Sequence, residues 1–129
     1  MRAIEFRGKI VGAEGFVYGK LLAPLASGNA YIAYDVNEVR SFVYISRSEK
    51  VDPETVGQYT GLKDKYGKKI FEGDICWEEH NECYGVVKFE DAKFLYLWEN
   101  IAEDLWEVAD GIEICGNIHE NLELLEEKN

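Results

Sequence analysis

Short runs of β-branched and aromatic residues, closely spaced and broken by glycine turns, dominate this sequence and restrict it to a sheet-rich fold. Ile4-Glu5-Phe6-Arg7 alternates apolar and polar residues. The turn Gly12-Ala13-Glu14-Gly15 separates it from Phe16-Val17-Tyr18-Gly19-Lys20-Leu21-Leu22, and the two runs read as a hairpin. Residues 31–34 and 41–45 follow as further strands, with a loop over 24–29 marked by Pro24 and Gly28. Strands are also expected at 56–62, 69–77, 85–89, 93–98 and 112–118. Their length and spacing suggest a small barrel or a sandwich-like sheet.

The polar stretch 46–53 reads as a boundary between an N-terminal β part, 1–50, and a C-terminal part, 51–129. Asp52-Pro53-Glu54-Thr55 has the chemistry of a single helical turn, with Asp52 as N-cap and Pro53 in the first position. Residues 99–109 show Ile101, Leu105, Trp106 and Val108 roughly on one helical side, with a strand at 106–108 as the alternative. Residues 121–126 are expected to form a turn of helix or a frayed tail. At 129 residues the chain is expected to form one compact unit of two tightly associated β parts.

Function classes are bounded by charge and by what is missing. No apolar run reaches the length of a bilayer span, and the first residues lack a secretory pattern. Three cysteines do not make a disulfide framework, so a cytoplasmic location is expected. The net charge of -11 is unevenly spread: residues 1–69 carry 11 Lys+Arg and 8 Asp+Glu, whereas 70–129 carry 3 Lys and 17 Asp+Glu. An acidic half repels phosphate backbones. Nucleic-acid binding would therefore fall to Arg40, Arg47, Lys50 and the lysines of 63–69. The same asymmetry would let opposite-charge faces of two copies dock head to tail, a contact that salt weakens.

Candidate catalytic and metal chemistry is thin. Cys76/His80 and Cys115/His119 share a Cys-x3-His spacing, with Cys83 nearby, and thiolate and imidazole suit zinc. Cys76 and Cys115 lie within apolar alternating runs, however, where cysteine behaves as a small buried hydrophobe. Cys83 sits in an acidic loop with His80, which raises a thiol's pKa and blunts a nucleophile. Glu72 and Asp74, two apart, would share a face if both lay on a strand, as any acidic surface allows, and the scattered glycines fit no phosphate-binding loop. Aromatics at Phe89, Phe94 and Tyr96 beside Lys88 and Lys93 give only a sparse stacking platform.

One stretch is long and specific: residues 51–75, with Thr55, Gly57, Gln58, Thr60, Gly61, Asp64, Gly67, Glu72, Gly73 and Asp74. It resembles the YopX family of small temperate-phage and prophage proteins. Glu5-Phe6-Arg7-Gly8, Gly85-Val86-Val87-Lys88-Phe89 and Gly116-Asn117-Ile118-His119-Glu120-Asn121 agree with the family's opening hairpin, middle strand and closing signature. The resemblance implies a phage gene product, a mainly β fold with minor α, and an SH3-like barrel in the C-terminal part. It carries over no catalytic residue. Two departures stand out: Leu122 occupies a place the family usually gives to proline, and Cys76 one it usually gives to an aliphatic residue. Physically, the glycines set turns and Asp64 and Asp74 accept backbone N–H bonds. The expectation is a non-catalytic module without metal or cofactor, binding a protein partner or itself. A nucleic-acid-binding protein and a metal-dependent or carboxylate enzyme are the alternatives.

Overall fold

The computed structural model describes residues 4–23 and 25–126, so Pro24 of the expected loop and the first three residues lie outside it. By its contacts the chain divides into two compact units, Met1–Gln58 and Tyr59–Asn129.

The first unit is built from β1 (Phe6–Lys9), β2 (Phe16–Leu22), β3 (Ala30–Val39) and β4 (Phe42–Val51), antiparallel in the order β4-β3-β2-β1. Gly57 and Gln58, the first residues of β5 (Gly57–Lys63), pair with Arg7 and Phe6. Ala30, Ile32 and Val51 form the buried core, with Phe6, Val17, Leu21 and Val56 packed on it. Gly8 makes that core possible, because a Cβ there would lie 2.8 Å from Val51 Cβ.

The polar segment 46–51 is strand and not linker. Ser48, Glu49, Lys50 and Val51 pair with Ala33, Ile32, Tyr31 and Ala30. An edge strand exposed on both faces needs no apolar alternation, so its sequence looks like a loop. Asp52 then caps a 3-10 turn at Pro53–Thr55, its carboxylate accepting from Glu54 N at 3.1 Å.

The second unit starts with the hairpin of β5 and β6 (Lys69–Phe71). The strands β7 (Asp74–Glu78), β8 (Cys83–Glu90), β9 (Lys93–Trp98), β10 (Ile101–Asp104) and β11 (Ile112–Asn117) make an antiparallel sheet ordered β10-β9-β8-β7-β11. Among the described residues this sheet is open, ending at β10 and β11, so the barrel closure implied by the SH3-like expectation is not seen. Ile70, Cys76, Val87, Tyr96, Leu105, Ala109 and Ile112 form its core.

Residues 99–109 are not one helix, and 106–108 is not a strand. Glu99 takes a positive φ of 51° in the turn after β9, and residues 101–104 pair back onto Trp98 to Leu95. Only Leu105–Val108, α1, is α-helical, with Leu105 buried and Trp106 exposed, and a 3-10 turn at Ala109–Gly111 follows it. Sheet pairing, helped by a 2.6 Å bond from Trp98 Nε1 to Glu103, overrides the helical spacing. A last helical turn, α2 (Glu123–Glu126), agrees with expectation. No helix among the described residues is long and apolar enough to cross a membrane.

Candidate interaction surface

Five of the motif side chains, Thr55, Thr60, Asp64, Asp74 and Asn117, fasten backbone. Thr55 Oγ1 accepts from Lys9 N at 2.8 Å and donates to the Asp52 carbonyl at 2.7 Å, tying the 3-10 turn to β1. Thr60 Oγ1 donates to the Ile70 carbonyl across the β5–β6 hairpin. Asp64, buried at the hairpin's turn, accepts from Tyr66 N and Lys68 N through Oδ1, each at 2.9 Å. Its Oδ2 accepts from Ile114 N of β11 at 3.0 Å. Gly67, at φ 84°, closes that turn.

Glu72-Gly73-Asp74 forms the tight turn into β7, with Gly73 at φ 95° and Asp74 Oδ2 accepting from Phe71 N. Asp74 pairs in register with Asn117, and Gly73 accepts from Ile118 N, so two distant parts of the motif meet. Asn117 Oδ1 accepts from His119 N and Glu120 N. Gly116 is required by space, since a Cβ there would lie 2.5 Å from Asn121 Oδ1. Gly61 has φ 87°, in the irregular stretch of the β5–β6 pairing.

These side chains are committed to the fold. Thr55→Val removes both an acceptor and a donor from partly buried backbone groups. It should lower stability by about 1–2 kcal/mol in urea unfolding, with Thr55→Ser restoring most of it.

The metal candidates do not converge. Cys76 is fully buried in the core as expected and Cys83 is half-buried at the start of β8, but Cys115 is exposed and not the buried hydrophobe its run suggested, because the β11 register shifts between Ile114 and Gly116. Among the described residues no three His, Cys, Asp or Glu side chains are grouped to hold a cation. Partial desolvation of its sulfur, with Glu113 close by, pushes the Cys115 thiol above its ordinary pKa, which disfavours the thiolate. The basic residues are interleaved with carboxylates: Arg47 lies 3.9 Å from Asp35, and Lys65 bonds Glu79 at 3.0 Å.

What the sequence did not disclose is an apolar arm. The β3–β4 hairpin is interrupted between Ala33 and Val36, where Asn37 Nδ2 bridges to Asp35 and Ser46. Below that irregularity the hairpin packs on the core. Beyond it, Val36↔Ile45 and Glu38↔Val43 pair on one face, and Asn37↔Tyr44 and Val39↔Phe42 on the other. Val36, Val39, Phe42, Val43, Tyr44 and Ile45 are all exposed, Phe42 at 73% and Val43 at 67%. The one available signal is Phe42-Val43-Tyr44-Ile45, apolar at both parities and uncharged, which a sequence reading assigns to a buried strand.

The sequence profile of the family described as YopX protein matches residues 5–126, nearly the whole chain. The chain belongs to the YopX family. The fold is similar to that in the crystal structure of protein EF1440 from Enterococcus faecalis, with a TM-score of 0.69 at 22% identity. That match covers 97% of this chain and 99% of the other. A search of curated proteins gave no match. In this YopX chain the polar side chains at 55, 60, 64, 74 and 117 thus fasten turns and strand ends, and the apolar arm lies outside them.

Proposed function

We propose that this YopX-family chain is a non-catalytic phage or prophage accessory module that acts in the host cytoplasm by binding protein. Its contact element is the distal β3–β4 arm. The observation that carries this reading is the exposure of six large apolar side chains on both faces of that arm. Exposed apolar clusters of this kind mark interaction sites, because leaving them in water forgoes about 25 cal/mol per Å2. The hairpin is also electrically balanced: Asp35, Glu38 and Glu49 offset Arg40, Arg47 and Lys50 in a chain of net charge -11. That suits an apolar protein surface better than a phosphate backbone.

The test is a photoreactive amino acid at Phe42, compared with one at Tyr66, which is exposed in the other unit. Irradiated in phage-carrying cells, the arm position should give one dominant crosslinked protein species and the control should not. Equal, diffuse labelling at the two positions would overturn the reading.

A further inference from the structure

We propose that two copies of this chain pair through β4, edge to edge and antiparallel, with Tyr44 on the two-fold axis. This rests on the arm being a contact surface and names its occupant. β4 is the edge strand of its sheet, and residues 42–46 carry no charge and no proline, the usual guards against strand addition.

The register follows from the turn. Arg40 and Ser41 form a two-residue connection, with Arg40 at φ 57°, closed by the pair Val39–Phe42. In such a hairpin the closing pair is hydrogen-bonded and the pairs alternate from there. The N–H and C=O of Val43 and Ile45 therefore point away from β3. Of the two-fold registers those groups allow, the one that uses all of them on both copies is centred on Tyr44, with Val43 opposite Ile45 and Tyr44 opposite Tyr44. Phe42 then faces Ser46 and Ser41 faces Arg47, so no like charges oppose.

Electrostatics favours a second copy here. Two chains of net charge -11 repel over most of their surfaces, whereas the β3–β4 hairpin carries three acidic and three basic residues. The apolar side chains of one arm expose on the order of 500 Å2, taking ~200 Å2 for a whole aromatic side chain. Val36 and Val39 lie on the inner strand, so an edge-to-edge pair covers less than the combined ~1,000 Å2, below the size of a lasting interface, and a weak, reversible dimer is expected.

Sedimentation velocity on the full chain from ~2 to ~200 µM, in ~0.05 and ~0.5 M salt, tests this. The expected result is a monomer–dimer equilibrium that salt does not weaken. Val43→Lys, at an exposed position, should shift it at least about tenfold toward monomer while leaving the melting temperature of the dilute, monomeric chain unchanged. In a background with Cys83 and Cys115 replaced by serine, Tyr44→Cys should form a disulfide dimer on oxidation. A non-hydrogen-bonded pair brings Cα atoms to about 4.5 Å. Asn37→Cys, on the inner strand, should not.

A monomer across the whole range overturns the pairing. So does a dimer that dissolves at high salt, which identifies docking of opposite-charge faces instead, and so does a dimer indifferent to Val43→Lys. If the chain is monomeric but the Phe42 probe captures a different protein, only the choice of occupant fails. If both experiments are negative, the reading of the arm falls with it.

Discussion

Gly85→Ala should lower the stability of the chain by about 3 kcal/mol, seen as a fall of ~10 °C in melting temperature. Gly85 does not have a positive φ, so its requirement is space. It lies on β8 opposite Cys76 of β7. The Tyr96 side chain crosses over it from β9, and its hydroxyl donates to the Cys76 carbonyl at 2.9 Å. A Cβ on residue 85 would sit 2.4 Å from Tyr96 Cζ and 2.7 Å from Cε1. Tyr96 is fully buried in the core and cannot swing away without breaking that bond and opening a void. Burial also holds the hydroxyl far above its ordinary pKa, so it stays a donor at any working pH. A double-mutant cycle isolates the cause. Tyr96→Leu removes the clashing ring atoms, so Gly85→Ala should cost much less in that background than in the native one. Simple additivity of the two losses would show that the glycine is needed for some other reason.

That dependence marks where sequence reading stops. A glycine in a strand announces a close approach, but Gly85 and Tyr96 are joined only through the register of three strands. Local devices were easier to read. The cap at Asp52, the turn at Gly67 and the burial of Cys76 all follow from residue type and near neighbours. The lengths of β3 and β4 did not, because Ser46-Arg47-Ser48-Glu49-Lys50 is polar throughout and its strand state comes from pairing with residues 31–35. The helix expected over 99–109 failed for the same reason. The arm shows the converse: Phe42-Val43-Tyr44-Ile45 reads correctly as strand, yet its exposure arises because, among the described residues, no other element covers it. Asp64 falls between these cases. Its role in its own turn is local, but its bond to Ile114 spans 50 residues.

Asp64→Ala should therefore cost more than an ordinary turn residue, about 3–5 kcal/mol at neutral pH. It removes the acceptor from three backbone N–H groups at once. Those of Tyr66 and Lys68 shape the β5–β6 turn, and that of Ile114 joins the turn to β11. Lys65 N also donates to the Ile112 carbonyl, so the same turn is pinned to β11 twice. Hydrogen exchange should accelerate at Lys68 and Ile114 before the rest of the sheet. The pH dependence carries the sign of the charge. Burial alone would raise the Asp64 pKa, but the N–H groups of Ile114, Lys68 and Tyr66, with Lys68's charge, bring it below the ordinary 3.8. A carboxylate depressed in the folded state stabilises above its unfolded pKa, and that contribution is lost as pH falls through the lower folded value. The stability gap between the native chain and Asp64→Asn should be constant from neutral pH down to about pH 5 and shrink below about pH 4. A gap that stays constant into strong acid would mean that shape, and not the carboxylate's charge, holds the turn. In Asp64→Asn the side-chain amide can still present its one oxygen to the N–H groups of Tyr66 and Lys68, but its NH2 group then faces the Ile114 donor. The variant should accordingly keep the turn and lose the tie to β11, with exchange at Ile114 rising while that at Lys68 stays slow.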